Sequence, residues 1–157
     1  MPKTLSLSSM RRKLWLMGVV KIPLIAYVRP RLQTIDSELA LVKIKLRRRT
    51  KNHLKSMYFG ALSVGADVAA GLHAFYFAEQ AGERVSFAFK SMRAEFLKRA
   101  TSDVYFLSKD GPLVEKAFQE AVNTGERQNK VVIVEARNTD DEKVAIFEME
   151  ISVKIKS

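Results

Sequence analysis

The sequence predicts an α+β fold in which a mostly antiparallel sheet curls around one central helix, and three observations lead there. Between Met57 and Phe77 the chain has no Lys, Arg or Glu, and its one acid is Asp67. A segment apolar nearly all round belongs inside a fold rather than on its surface. Strand-like alternation precedes this segment and dominates after it, and the connections between elements are short. A strand, a buried helix and then consecutive strands build an antiparallel sheet wrapped on a helix. At 157 residues and 47% hydrophobic content, the chain fits one domain with a real core.

In chain order, residues 1–30 read as a helical extension and 31–157 as the single main domain. The extension puts basic residues ahead of an apolar run, but Lys21 and Pro23 interrupt that run well short of the ~20 residues a membrane span needs. One or two short helices are expected, Pro23 opening the second, in a soluble protein. A membrane-surface role for the Trp15-bearing segment is a second reading. Ala40, Val42, Ile44 and Leu46 alternate with Leu41, Lys43, Lys45 and Arg47 as a half-buried strand, followed by a loop over Thr50–Lys55. Gly60, Ala61, Gly65, Ala66, Ala69, Ala70 and Gly71 let neighbours approach the central helix closely. Ala78 to Arg84 reads as its exit turn. Val85 to Leu97 is a long strand whose alternation changes phase near Lys90, the mark of a bulge.

Thr101 to Leu107 is a further strand. Asp110-Gly111-Pro112 opens an amphipathic helix with Leu113, Val114, Ala117, Phe118, Ala121 and Val122 inward, closed by Gly125. Lys130 to Ala136 and Val144 to Ile155 are two strands joined by the acidic turn Asn138–Glu142.

Charge is uneven. Residues 1–60 carry 14 Lys/Arg against 2 Asp/Glu, a net of +12, and residues 61–157 carry 13 against 15, a net of −2. The densest run, Lys43 to Lys55 with Arg47, Arg48, Arg49 and Lys51, suits an anionic membrane, a nucleic acid, a phosphorylated small molecule or a plain solvated face. Nucleic acid is disfavoured because no aromatic stacking pattern accompanies the run. The chain has no cysteine, which rules out disulfides, thiol nucleophiles and thiolate metal sites and fits a reducing, cytoplasmic setting. His53 and His73, the two histidines, lack metal-ligand spacing, so no metal and no cofactor are expected.

Asp67 is the focus. A buried carboxylate costs several kcal/mol unless paired, so it is either hydrogen-bonded as structure or poised for chemistry. Asn52 is followed, after five residues, by Tyr58-Phe59-Gly60 and, after six more, by Asp67. Together with the layout, this spacing resembles the hotdog-fold thioesterases, particularly the PaaI-like branch. There an Asn is followed after five residues by His-Gly-Gly at the head of the central helix, and after six more by Asp or Glu. The stretches Phe89 to Ala100 and Val122 to Glu126 are similar to a little-characterised offshoot of the same superfamily. The resemblance covers roughly residues 30–156, with Tyr58 in place of the His and Phe59 in place of the first Gly.

The resemblance implies a hotdog fold, a homodimer or homotetramer, and an acyl-CoA or other acyl thioester as substrate. Backbone N–H groups around Gly60 and Ala61 would polarise the thioester carbonyl. Asp67 would activate water as general base or attack as nucleophile. In the resembled family the site spans two subunits, so Asn52 and Gly60 would face the partner's Asp67. Tyr58 would offer a hydrogen bond and Phe59 an acyl-tunnel wall, unless both pack in the core. Lys90 and Ser91 stand where the family places a polar residue near the water, and Arg47, Arg48 and Arg49 would meet carrier phosphates. A hotdog protein that binds acyl groups without turnover is the alternative.

Overall fold

A computed structural model describes residues 5–157; residues 1–4, the start of the expected extension, lie outside the described residues. Helix α1 (Leu7–Leu16), capped by Ser6 Oγ accepting from the Ser9 amide, runs into a π turn at Met17–Lys21. Pro23 sits in the first turn of α2 (Pro23–Val28), as its fixed φ favours. Met10, Leu14, Ile25 and Val28 point into the main core, so these helices are part of the fold's packing.

Six strands follow: β1 (Arg31–Ile35), β2 (Ala40–Ile44), β3 (Val85–Phe96), β4 (Val104–Ser108), β5 (Gln128–Arg137) and β6 (Lys143–Ile155). They form one sheet in the order β1-β2-β4-β5-β6-β3, with every pair antiparallel. The sheet register shifts between Phe89 and Ser91, which places the expected bulge at Lys90. β1 is an edge strand that the apolar pattern gave no sign of. Of its five residues only Leu32 is buried, so it carries no apolar alternation.

Helix α3 (Phe59–Ala81) lies in the curl of this sheet. It is long and apolar enough to cross a membrane by length and composition, and the rest of the fold buries it instead. The expected exit at Ala78 comes late: Ala78 is still packed and the following residues are good helix formers, so the helix continues to Ala81 and stops at Gly82, φ +70°. Small residues set how near the sheet can come. A Cβ on Gly65 would stand 2.3 Å from the ring of Phe106, a fully buried β4 residue. Helix α4 (Gly111–Thr124) closes the remaining side with Val114, Ala117, Phe118 and Ala121.

The turn between β1 and β2 is held from two directions. Asp36 Oδ1 accepts from the Glu38 and Leu39 amides at 2.8 and 2.9 Å, which holds its carboxyl below the usual range. From α3, the buried His73 donates through Nε2 to the Asp36 carbonyl at 3.0 Å, and burial pushes its imidazole toward the neutral form. From α4, the Gly111 amide donates to the Glu38 carbonyl, and a Cβ there would sit 2.2 Å from the Ser37 carbonyl oxygen.

Because the Phe106 ring is fully buried and would have to shift, Gly65→Ala is expected to destabilise the protein by about 1–3 kcal/mol despite the better helix propensity of Ala. Urea unfolding of the variant beside the native chain measures this.

Candidate active site

Asn52 builds the approach to α3. Its Oδ1 accepts from the Leu54 amide, the Ser56 amide and Ser56 Oγ at 2.9–3.1 Å, and its backbone N–H donates to the Ser56 carbonyl. The side-chain oxygen is thus committed to shaping the loop, an Asx-type turn. The Tyr58 amide donates to the Thr50 carbonyl at 2.8 Å, and Lys51 bridges Met57, which fixes the entry angle of the helix.

The head of α3 is open. Tyr58 caps it without a side-chain hydrogen bond, and no acid occupies the first turn. The amides of Phe59, Gly60 and Ala61 have no acceptor among the described residues, so donors and the positive end of the helix dipole coincide there. Tyr58 and Phe59 are both largely exposed rather than in the core, with ring centroids 4.7 Å apart, and Phe96 of β3 meets Phe59 at 6.4 Å. The Tyr58 ring leans over Gly60, where a Cβ would be 2.5 Å from it.

Asp67 lies farther along, about 10 Å up the axis from Gly60 at 1.5 Å per residue. It opens into a pocket of about 200 Å³ between α3, β3 and the N-terminal helices, walled by apolar side chains such as Met17, Ile25, Phe75 and Phe89. No hydrogen bond or ion pair engages Asp67 among the described residues, so the structural, hydrogen-bonded alternative finds no partner here. Burial raises its pKa from the ordinary 3.8 to about 6. Within one chain the open helix head and Asp67 are too far apart to act on one carbonyl.

Neither Lys90 nor Ser91 lines this pocket. Both are exposed; Ser91 Oγ donates to Glu150 at 3.0 Å, and Phe87, Ala88 and Phe89 supply the β3 wall instead. The α3 contribution was readable, since Asp67, Gly71 and Phe75 recur at four-residue spacing on one helix face. The wall from α1, the π turn and α2 has no such signal.

The basic run is only partly gathered. Arg47 and Arg49 join Arg29, Arg31 and Lys45 around a narrow cleft beside Thr50, whereas Arg48 does not line it. Arg49 donates to the Tyr27 carbonyl at 3.2 Å and stacks over that ring at 5.4 Å, which fixes its position. Arg29 adopts a left-handed backbone, φ 58°, at the end of α2. Arg29 and Arg31 carry no signal in the sequence because only folding brings them to the 45–49 loop. Among the described residues no group of three His, Cys, Asp or Glu side chains could hold a metal ion.

A family model described as a domain of unknown function, DUF4442, matches residues 11–155. No curated protein matches the sequence. Among solved structures, a protein of unknown function from Pseudomonas aeruginosa described as a probable thioesterase is 19% identical, with a TM-score of 0.77 over 99% of each chain. A protein of unknown function from Chlorobaculum tepidum is 10% identical, with a TM-score of 0.82 over 96% of each chain. A thioesterase from Haemophilus influenzae is 12% identical, with a TM-score of 0.71 over 98% of this chain and 94% of that one. These likenesses establish the fold as the hotdog arrangement.

The raised pKa has a defined signature in stability. A carboxyl that resists ionisation only when folded costs nothing below its unfolded value near 3.8, and stability is lost as pH rises through about 6. Asp67→Asn is therefore expected to be more stable than the native chain above pH ~6, by about 1–3 kcal/mol, and equal to it near pH ~4. Urea unfolding at both pH values checks it.

Proposed function

The chain belongs to the DUF4442 family, and from that premise we propose that it is a homodimeric hydrolase of acyl thioesters carried on a phosphate-bearing thiol such as coenzyme A. The observation that carries this reading is Asp67, a carboxylate without a partner among the described residues, in an apolar pocket that pushes its pKa up to about 6. Such a group is largely ionised at neutral pH and still basic enough to take a proton from water.

The chemistry needs two subunits. The free amides around Gly60 in one subunit hold the thioester oxygen as it gains charge. The partner's Asp67 takes a proton from a water whose oxygen bonds to the carbonyl carbon; the tetrahedral adduct then expels the sulfur, and Asp67 passes that proton to the departing thiolate, which restores its carboxylate. A two-fold pairing along β3 suits this, since among the described residues β3 bonds only to β6 and leaves its other edge open, with Met92, Phe96 and Leu97 exposed. The cleft of Arg29, Arg31, Lys45, Arg47 and Arg49 offers charge-assisted hydrogen bonds to the carrier's phosphates.

One observation favours a second reading, binding without turnover: the Tyr58 ring lies over Gly60, where a carbonyl would approach. Thiol release from a series of acyl-CoA chain lengths separates the two. Asp67→Asn is expected to lower kcat by about a hundredfold or more with the fold and dimer retained. Unchanged turnover in the variant would overturn the role of Asp67. A monomer in light scattering would overturn the two-subunit site, and acyl-CoA binding without thiol release would leave the second reading.

Replacing Arg47 and Arg49 together by Gln is expected to raise KM for a CoA thioester by about tenfold or more. The same change should leave KM for a short thioester without a nucleotide nearly unaltered. Equal effects on both substrates would make the cleft a solvated face.

A further inference from the structure

The outer face of the N-terminal helices is unlike the rest of the surface. On α1 and the π turn, Arg12, Leu16 and Val20 form one exposed row and Arg11, Trp15 and Val19 another, each basic at its start and apolar toward its end. Trp15 is 63% exposed and Val20 70%, and Leu24 and Tyr27 continue the apolar surface onto α2. Burying them in the protein is not what these side chains do: the inward positions of the same helices belong to Met10, Leu14 and Ile25. Large exposed apolar surface that shares a face with cations marks a docking site.

The charge says what docks. The first 35 residues contain seven Lys/Arg and no acid. The side chains of Arg12, Lys21, Arg29 and Arg31 form no hydrogen bond or ion pair among the described residues. Trp15 and Val19 also wall a groove of about 680 Å³ that Arg29 and Arg31 line as well, so apolar surface and cations meet at one place. A tryptophan and a tyrosine beside unpaired basic side chains and short aliphatic ridges match the boundary of a bilayer, where rings sit at head-group depth and cations meet phosphate.

We infer that this face docks on an anionic phospholipid bilayer, with Trp15, Leu16, Val20 and Leu24 entering the head-group boundary and Arg12, Lys21, Arg29 and Arg31 meeting lipid phosphates. The protein lies on the bilayer and does not span it. The inner side of the same segment, through Leu14, Met17, Ile22 and Ile25, walls the Asp67 pocket. Docking therefore leaves these N-terminal helices between that pocket and the membrane. The inference does not depend on the hydrolase reading: Arg29 and Arg31 border both the cleft and this face, but the variants that test docking leave them unchanged and the test needs no turnover.

Trp15 is the only tryptophan in the chain, so intrinsic fluorescence reports on the docking face alone. With vesicles of phosphatidylglycerol and phosphatidylcholine at low salt, Trp15 emission is expected to shift to the blue and acrylamide quenching to fall. Phosphatidylcholine alone should do neither, and added salt should reverse the effect. In co-sedimentation, Arg12→Gln with Lys21→Gln should weaken partition about fivefold per cation removed. Leu16→Ser with Val20→Ser should weaken it at least tenfold. All four residues are exposed, and circular dichroism verifies that each variant keeps the native fold. Emission unchanged by anionic vesicles, equal binding to phosphatidylcholine alone, or undiminished binding of folded variants would overturn the proposal. So would Trp15 already shielded from acrylamide without lipid, since a second copy of the chain would then cover this face.

Discussion

A helix that is apolar on nearly every side has to be covered on every side, and the rest of this molecule follows from that constraint. A flat sheet covers one face of a helix; a sheet curled over six strands covers more, and α3 takes the concave side of it. The curl brings strands close enough that glycine is needed at position 65, where the Phe106 ring occupies the place of a side chain. What the sheet leaves uncovered is closed by α4 on one side and by the N-terminal helices on another. The gain is burial of apolar area, at about 25 cal/mol per Å², from a helix that would otherwise expose most of its surface.

Asp67 is the exception inside that arrangement. Its neighbours give it no partner, and the surrounding apolar walls penalise its charge rather than stabilise it. By contrast, Asp36 carries two backbone hydrogen bonds, and the exposed ion pairs of Lys13 with Glu79 and Arg93 with Glu95 contribute little, as surface pairs do. A carboxylate kept uncomfortable among apolar walls, in a fold whose other acids are paired or solvent-exposed, is a local exception to good packing, and such exceptions concentrate where proteins do chemistry.

The sequence made the architecture legible because its signals were local. The apolar run gave α3, period-two alternation gave the long strands, and the phase change at Lys90 gave the bulge. Where a boundary depended on packing, as at the end of α3, the pattern stopped short. β1 was invisible because an edge strand with one buried residue carries no alternation. The site was legible in part for the same reason: Asp67 and its helix neighbours share a period. The cationic cleft and the pocket's N-terminal wall join segments distant in sequence, and no spacing rule reaches across a fold.

The turn at residues 36–39 shows what such long-range ties do to a surface feature. Asp36, Ser37 and Glu38 are solvent-exposed, the usual place for a chain to tolerate inserted residues. Yet His73 holds the turn from the central helix, and Gly111 both bonds to it and leaves no space against the Ser37 carbonyl. Lengthening it by one residue would displace two hydrogen bonds and drive a carbonyl toward the start of α4. Accessibility therefore overstates its freedom: the length of this exposed turn is set by the interior elements that hold it.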